Sequence, residues 1–372
     1  MMTVRECYRR IALFQKADYI PHFEGGAGVH TIARWHSEGL PEGVGWHEFF
    51  GINNEELVRN ISYDPIPGVA DRTSNLPMTP YGPTHRDPWG RVAIWPERRD
   101  DDGYAEGAHL IVRGALQERA EWEEIRGHFR PDVVARYPRD WPEMVARWKG
   151  HQHVLVLEAP SMIGELRLQM GFENYCTKLY DDPAMIEELM DARTDVALGI
   201  LDKAVNEADF DMLWFWEDCA FRNGPIITPG IFERICTPRY RRLADWYRSR
   251  GGEIVAVDSD GDVRTLISGW LKGGINHIWP LEPFAGMDVV ALRREYGQAF
   301  SMRGGIDKHV MAKGRDAIDR ELDRICPVVQ DGGYIPHLDH QMPDCPFDDI
   351  CYYMERKQEL LGTRPNYAKR ES

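Results

Sequence analysis

The chain reads as an α/β protein, a single (β/α)8 barrel of TIM type with an elaborated N-terminal region. Three observations predict it. Short apolar runs and helix-spaced segments alternate from about residue 151 onward, with short connections. Several of those runs end abruptly in carboxylates or glycines, where barrel enzymes place their chemistry. The third is the lack of a GxGxxG after an early strand, which leaves a dinucleotide-binding fold without local support.

Taken in order, Tyr19 to Glu24 followed by His30 to Glu38 forms one strand–helix unit, and 64–102 reads as long loops or an irregular sheet. Val154 to Leu157 is a strand ending at Glu158-Ala159-Pro160; Met185, Ile186, Leu189, Met190 and Val196 then recur at helical spacing. Phe210 to Trp216 is a strand ending in Glu217-Asp218-Cys219, and Ile231 to Arg250 is a helix stopped by Gly251-Gly252. Ile254 to Val257 is a buried strand ending in Asp258-Ser259-Asp260-Gly261-Asp262, before helical spacing resumes at Val263, Leu266 and Ile267. Strands over 275–281 and 300–302, helices over 288–296 and 310–329, the strand opening at Tyr334 and a helix over 347–361 complete the alternation. Residues 1–372 are expected to form one domain, irregular over 1–150 and regular over 151–361.

The formal charge of −15 argues against nucleic acid and anionic membranes as partners. No apolar run approaches the roughly 20 residues of a membrane span. The first ten residues are charged and lead into a helix-like segment, unlike a signal core. Seven scattered cysteines without a CxxC pair fit a reducing cytoplasm.

Chemistry concentrates at the strand ends. Asp258 and Asp260 suit metal ligation, general base work or polar anchoring, and Asp262 is the better helix cap. His337, Asp339 and His340 follow a strand, and an imidazole there can titrate near neutrality, ligate a metal or donate to a carboxylate. Alternation along a strand keeps Glu217 and Asp218 from one spot unless the backbone bends. Asp307 is either a ligand-facing carboxylate or a cap; Cys219 reads as a packed thiol. Glu24, His30 and Arg34 are candidate cleft residues in the N-terminal unit, with His30 and Arg34 on one helix face.

The run Gly171-Phe172-Glu173-Asn174, Trp216-Glu217-Asp218, Gly224-Pro225-Ile226-Ile227-Thr228-Pro229, Asp258-Ser259-Asp260-Gly261-Asp262-Val263, Gly304-Gly305-Ile306-Asp307-Lys308 and Gly332-Gly333-Tyr334-Ile335 resembles the uroporphyrinogen decarboxylase superfamily. That superfamily also contains the corrinoid-linked methyltransferases. The likeness spans about 150 to 361 and implies one barrel with its cleft at the strand carboxyl ends. It places a decarboxylase active-site histidine at His340 and a cleft position at Asp218. The decarboxylases' arginine-rich N-terminal motif has no close copy here, where Arg34 stands alone among glycines and histidines. The zinc methyltransferases' His-x-Cys-Gly is replaced by Asp258-Ser259-Asp260-Gly261, and their later cysteine falls near His340. Carboxylates and an imidazole make a harder donor set than thiolates.

The resemblance therefore implies an enzyme outside the standard branches, acting on a small organic substrate by methyl or related group transfer. Asp258, Asp260 and His340 would hold a divalent metal, zinc or another, or the substrate itself. Asp218 and Asp307 would assist, and a corrinoid protein would be a partner. The alternatives are decarboxylation of a porphyrinogen or other carboxylate, with Arg34, Arg167 and Arg303 recognising acid groups, and a non-catalytic tetrapyrrole- or corrinoid-binding barrel. Homodimers are common in this superfamily.

Overall fold

The computed structural model describes residues 2–53, 55–65, 78–79, 82–86, 91–94 and 110–365. Seven parallel strands form one curled sheet: β2 (Glu55–Val58), β3 (Val154–Glu158), β4 (Met212–Trp216), β5 (Ile254–Asp258), β6 (His277–Trp279), β7 (Ser301–Ile306) and β8 (Tyr334–Leu338). Each neighbours the next in chain order, and the links that follow β3 to β7 carry helices across the outer face. That succession is what right-handed β/α crossovers give when the sheet curls onto itself.

The eighth position is held by β1 (Ile20–Pro21) and the residues after it, mainly through single contacts. Asn53 exchanges two hydrogen bonds with His22, at 2.7 and 2.9 Å, on the β2 side. On the β8 side, Leu338 N–H donates to Glu24 at 3.1 Å and Met342 N–H donates to the Gly26 carbonyl at 2.8 Å. β1 itself pairs in parallel with Thr363–Arg364.

Period-two alternation sorts the strand side chains. Val154, Val156, Met212, Trp214, Ile254, Ala256, Trp279 and Ile335 fill the barrel interior together with Phe23. Leu155, Leu157, Leu213, Phe215, Val255, Val257 and Ile278 face the surrounding helices and belong to the larger core. Each fully buried side chain of this kind contributes roughly 1.5–3 kcal/mol. The inward parity carries Glu158, Trp216 and Asp258 to the same face at the strand ends.

The helix Val4–Ala12 stops the opposite end of the barrel. It begins with a capping box between Thr3 and Glu6, and contributes Tyr8, Ile11 and Ala12 to the interior. Arg5 binds Asp211 at 2.7 Å, and Asp211 in turn accepts from Leu155 N–H at 2.9 Å, fixing the helix to the starts of β3 and β4. Inside, Arg303 makes a two-pronged pair with Glu55 and donates to His337 Nε2 at 3.0 Å; Tyr8 hydroxyl meets His277 Nε2 at 2.8 Å.

Two expected helices are divided. The 231–250 segment is split into Pro229–Ile235 and Thr237–Ser249, because Pro238 fits only the first turn of a new helix. The 310–329 segment becomes a 3-10 stretch, Lys308–Lys313, and the helix Arg315–Asp331, separated at Gly314 with φ +83°. The helix Phe347–Leu361 has the expected bounds. Most of 64–102 lies outside the described residues. Four short strands, Met78–Thr79, Gly82–Arg86, Val92–Ile94 and Leu110–Arg113, pair antiparallel between β2 and β3 in sequence.

Candidate functional site

The carboxyl ends of β4 and β5 converge on three carboxylates. Parity turns Asp258 inward from β5, where its Oδ2 accepts from the Trp279 indole at 3.0 Å. After Trp216 the chain bends. Glu217 points away from the mouth and accepts backbone N–H groups from Met162, Ile163 and Gly164 at 2.8, 2.7 and 3.2 Å. Burial pushes its carboxyl up to about 7. Asp218 then takes a left-handed φ of 39°, a conformation that aspartate tolerates better than most residues, and its side chain swings into the mouth. Asp260 follows on the β5 loop. Gly261, at φ +81°, makes the turn possible, since a Cβ there would lie 2.7 Å from the Ala220 carbonyl.

One oxygen each from Asp218, Asp258 and Asp260 lies within 4.8 Å of the others. Two like charges at that distance repel by roughly 3 kcal/mol at an effective dielectric of 20. The strain registers on the acids. Burial first, then the neighbouring Asp218 and Asp260, push Asp258 up to about 8. Asp218 is likewise raised, by burial and then by Asp260, against the pull of Arg167. Arg167 reaches Asp218 at 3.4 Å and lies over the Trp216 ring at 5.8 Å. His340 Nε2 stands 3.4 Å from Asp260 Oδ2, and that contact raises its pKa.

The arrangement invites positive charge. Three oxygens within 4.8 Å of one another can close on one ion at the 2.3–2.6 Å typical of carboxylate coordination to calcium-like ions after slight contraction, or on a smaller one after somewhat more. The tight donor set is Asp218, Asp258 and Asp260, where the sequence pointed to Asp258, Asp260 and His340. The imidazole sits beside this set and pairs with its outermost member.

The remaining candidates separate. Asp307 caps the stretch after β7, accepting from His309 N–H at 2.9 Å and meeting His309 Nδ1 at 2.7 Å. Glu24 is fully buried with Lys357 at 2.5 Å and also accepts from Tyr353 hydroxyl at 2.8 Å, so it ties the barrel seam. His30 is exposed on the helix Val29–Glu38. Arg34, on the same helix, pairs with Glu38 at 2.7 Å and Asp344 at 3.1 Å. Arg303 is committed inside the barrel to Glu55, with Phe23 and Trp279 against its guanidinium. His337 is held there by Arg303, and burial drives its pKa well down. Cys219 is buried against Ser259, and burial raises its thiol.

Three groups at the mouth were not singled out from sequence as site residues. Glu158, ending β3, is pushed up to about 8 by burial. Arg59, just after β2, lies over the Trp214 ring at 4.5 Å and 3.7 Å from Glu158. Trp279 donates to Asp258. The strand-end rule that flagged Asp258 applies equally to Glu158 and was the available signal; β2 itself had no readable pattern.

Comparison with known proteins agrees with this architecture. A methyltransferase from Methanosarcina mazei has the same fold, with a TM-score of 0.57 and 13% identity over 96% of this chain and 99% of that one. No curated protein matches the chain. No described helix is long and apolar enough to cross a membrane. Residues 159–359, more than half of the chain, match the uroporphyrinogen decarboxylase (URO-D) family model. The curled parallel sheet is therefore a TIM-type barrel, and the chain belongs to the uroporphyrinogen decarboxylase family.

Proposed function

We propose that this protein is an enzyme that transfers a methyl or related group from a small organic substrate, with a divalent cation held at the mouth of its barrel. The observation that carries the reading is the convergence of Asp218, Asp258 and Asp260 at the ends of β4 and β5. These three carboxylates would hold the cation, which when bound would supply Lewis-acid polarisation of the heteroatom bearing the transferred group. Asp258 would give up its proton on loading. His340, made more basic by Asp260, would hold or return a proton at Nε2 beside the reacting heteroatom. Arg167 would orient Asp218, and Trp216 with Trp279 would shield the floor from water. A corrinoid protein in the cytoplasm is the acceptor this scheme asks for, and all seven cysteines are free, as a reducing compartment requires.

Decarboxylation gains less support. Of Arg34, Arg167 and Arg303, only Arg167 reaches the acidic set, so no cluster of these guanidinium groups meets the acid groups of a porphyrinogen.

Elemental analysis of protein purified without chelator, beside Asp258→Asn, tests the metal. About one equivalent of a divalent ion, lost in the variant, is expected. The spectrum of cob(I)alamin incubated with the metal-loaded protein and candidate methylated thioethers, amines or ethers, read for its conversion to methylcobalamin, tests the transfer. Metal-free protein in both samples, with no change in cobalt absorbance, overturns the reading; tight corrinoid binding without turnover would make it a carrier.

A further inference from the structure

The mouth has a second polar flank, at the ends of β2 and β3 next to the strands that carry the three aspartates, that the scheme above leaves unused. Arg59 follows β2 and Glu158 ends β3 beside it, with Trp214 of β4 beneath the guanidinium at 4.5 Å. Arg59 is half exposed, while the Glu158 side chain is only 15% exposed. Their closest approach, 3.7 Å, is too long for a hydrogen bond. Among the described residues the Glu158 carboxyl has no hydrogen-bond partner; the Tyr63 hydroxyl binds its backbone carbonyl instead, at 2.7 Å.

We propose that Arg59 and Glu158 form an oxyanion subsite, which takes a carboxylate oxygen of the substrate while its reacting end faces Asp218, Asp258 and Asp260. The inference rests on the group-transfer reading for the second half of that statement, whereas the subsite stands on its own geometry. A guanidinium and a carboxylic acid both donate to an oxyanion, and the guanidinium is held flat by the indole beneath it. The acid form of Glu158 is favoured by its surroundings. Burial and Glu165 of the helix Gly164–Met170 raise it, against Arg59 and Arg193 of the helix Pro183–Glu207. Arg193 is itself engaged by Glu165 and Asp64, and so does little for Glu158. Arg59 therefore keeps an uncompensated positive charge facing the cleft at neutral pH. The substrate class that fits is a small organic acid whose carboxylate lies on the β2–β3 side and whose heteroatom lies on the β4–β5 side.

The probe is benzoate, with benzamide as its neutral counterpart, titrated into the full chain by calorimetry in chelator-containing buffer. At pH 6.5 benzoate is expected to bind at least tenfold more tightly than benzamide, and Arg59→Ala to lose that preference while Arg59→Lys keeps part of it. Raising the pH to 9 ionises Glu158 and is expected to weaken benzoate severalfold in the natural chain. In Glu158→Gln, where the donor is permanent, that weakening is expected to be much smaller. Equal binding of the two probes, or benzoate binding unchanged in Arg59→Ala with an unaltered melting temperature, overturns the subsite. Failure of the metal reading shows instead in the Asp258→Asn metal analysis, which these titrations in chelator do not touch.

Discussion

Replacing Asp258 with asparagine should stabilise the protein while abolishing its activity, and the gain should grow with pH. In the folded chain Asp258 titrates at about 8, against an ordinary 3.8. The native state thus binds the extra proton between those two values, so stability falls as pH rises through that window and levels off above it. At roughly 1.4 kcal/mol per unit, the ceiling is about 6 kcal/mol. Asp258 keeps some contact with solvent at the mouth, and relaxation of Asp218 and Asp260 relieves part of the repulsion, so about 3 kcal/mol is expected at pH 8.5. Asparagine keeps the shape and an oxygen that can still accept from Trp279. Urea unfolding of both proteins in chelator at pH 5 and pH 8.5 gives the comparison. The variant should lead by about 1 kcal/mol at pH 5 and about 3 kcal/mol at pH 8.5. A gap that stays flat or shrinks between the two pH values would refute the reasoning, because the three carboxylates would then not be crowding one another.

Further outcomes follow from the same geometry. Zinc, manganese or magnesium added at pH 7 should raise the melting temperature of the natural chain and release a proton, read by calorimetry in two buffers of different ionisation heat; Asp258→Asn should show neither effect. Lys357→Met should cost roughly 3–5 kcal/mol in denaturant unfolding, because it strands the fully buried Glu24 charge. The paired change with Glu24→Gln should recover much of that loss. Asp307→Ala should cost about 1 kcal/mol as a lost cap and leave activity intact, which separates it from the three mouth aspartates. Arg34→Ala should leave both the melting temperature and substrate affinity unaltered, since its partners Glu38 and Asp344 share its exposure.

Legibility in the sequence tracked how local the deciding physics was. The strands β3 to β5 were the most readable because their residues are apolar on both faces and end in polar groups, a signal contained within about six positions. β1 and β2 were harder. Glu55-Glu56-Leu57-Val58 looks like surface, because Glu55 is inward and neutralised by Arg303, a partner 248 residues away. The same distance problem governed the site. Asp258 was legible from its place at a strand end, whereas Asp218 needed the backbone bend at φ 39° to join it. Glu24 and Arg303 have the composition of cleft residues, and only the three-dimensional pairing shows that Lys357 and Glu55 have already claimed them. His340 was legible from its place after a strand, and the structure sets it 3.4 Å from Asp260, a pairing across 80 positions that no local pattern could show.

The seam between the first and last parts of the chain has a consequence for biosynthesis. Glu24 finds its ammonium partner 333 residues downstream, and Ile20 meets Thr363 later still. A ribosome adding 5–20 residues per second would keep the first strand waiting for roughly 17 seconds or more before its neighbours exist. Throughout that interval Phe23 and a bare carboxylate lack their destination, and the emerging half-closed sheet has an open edge. A nascent chain of this design needs shelter until Lys357 and Thr363 have left the ribosome, and the ring closes only then.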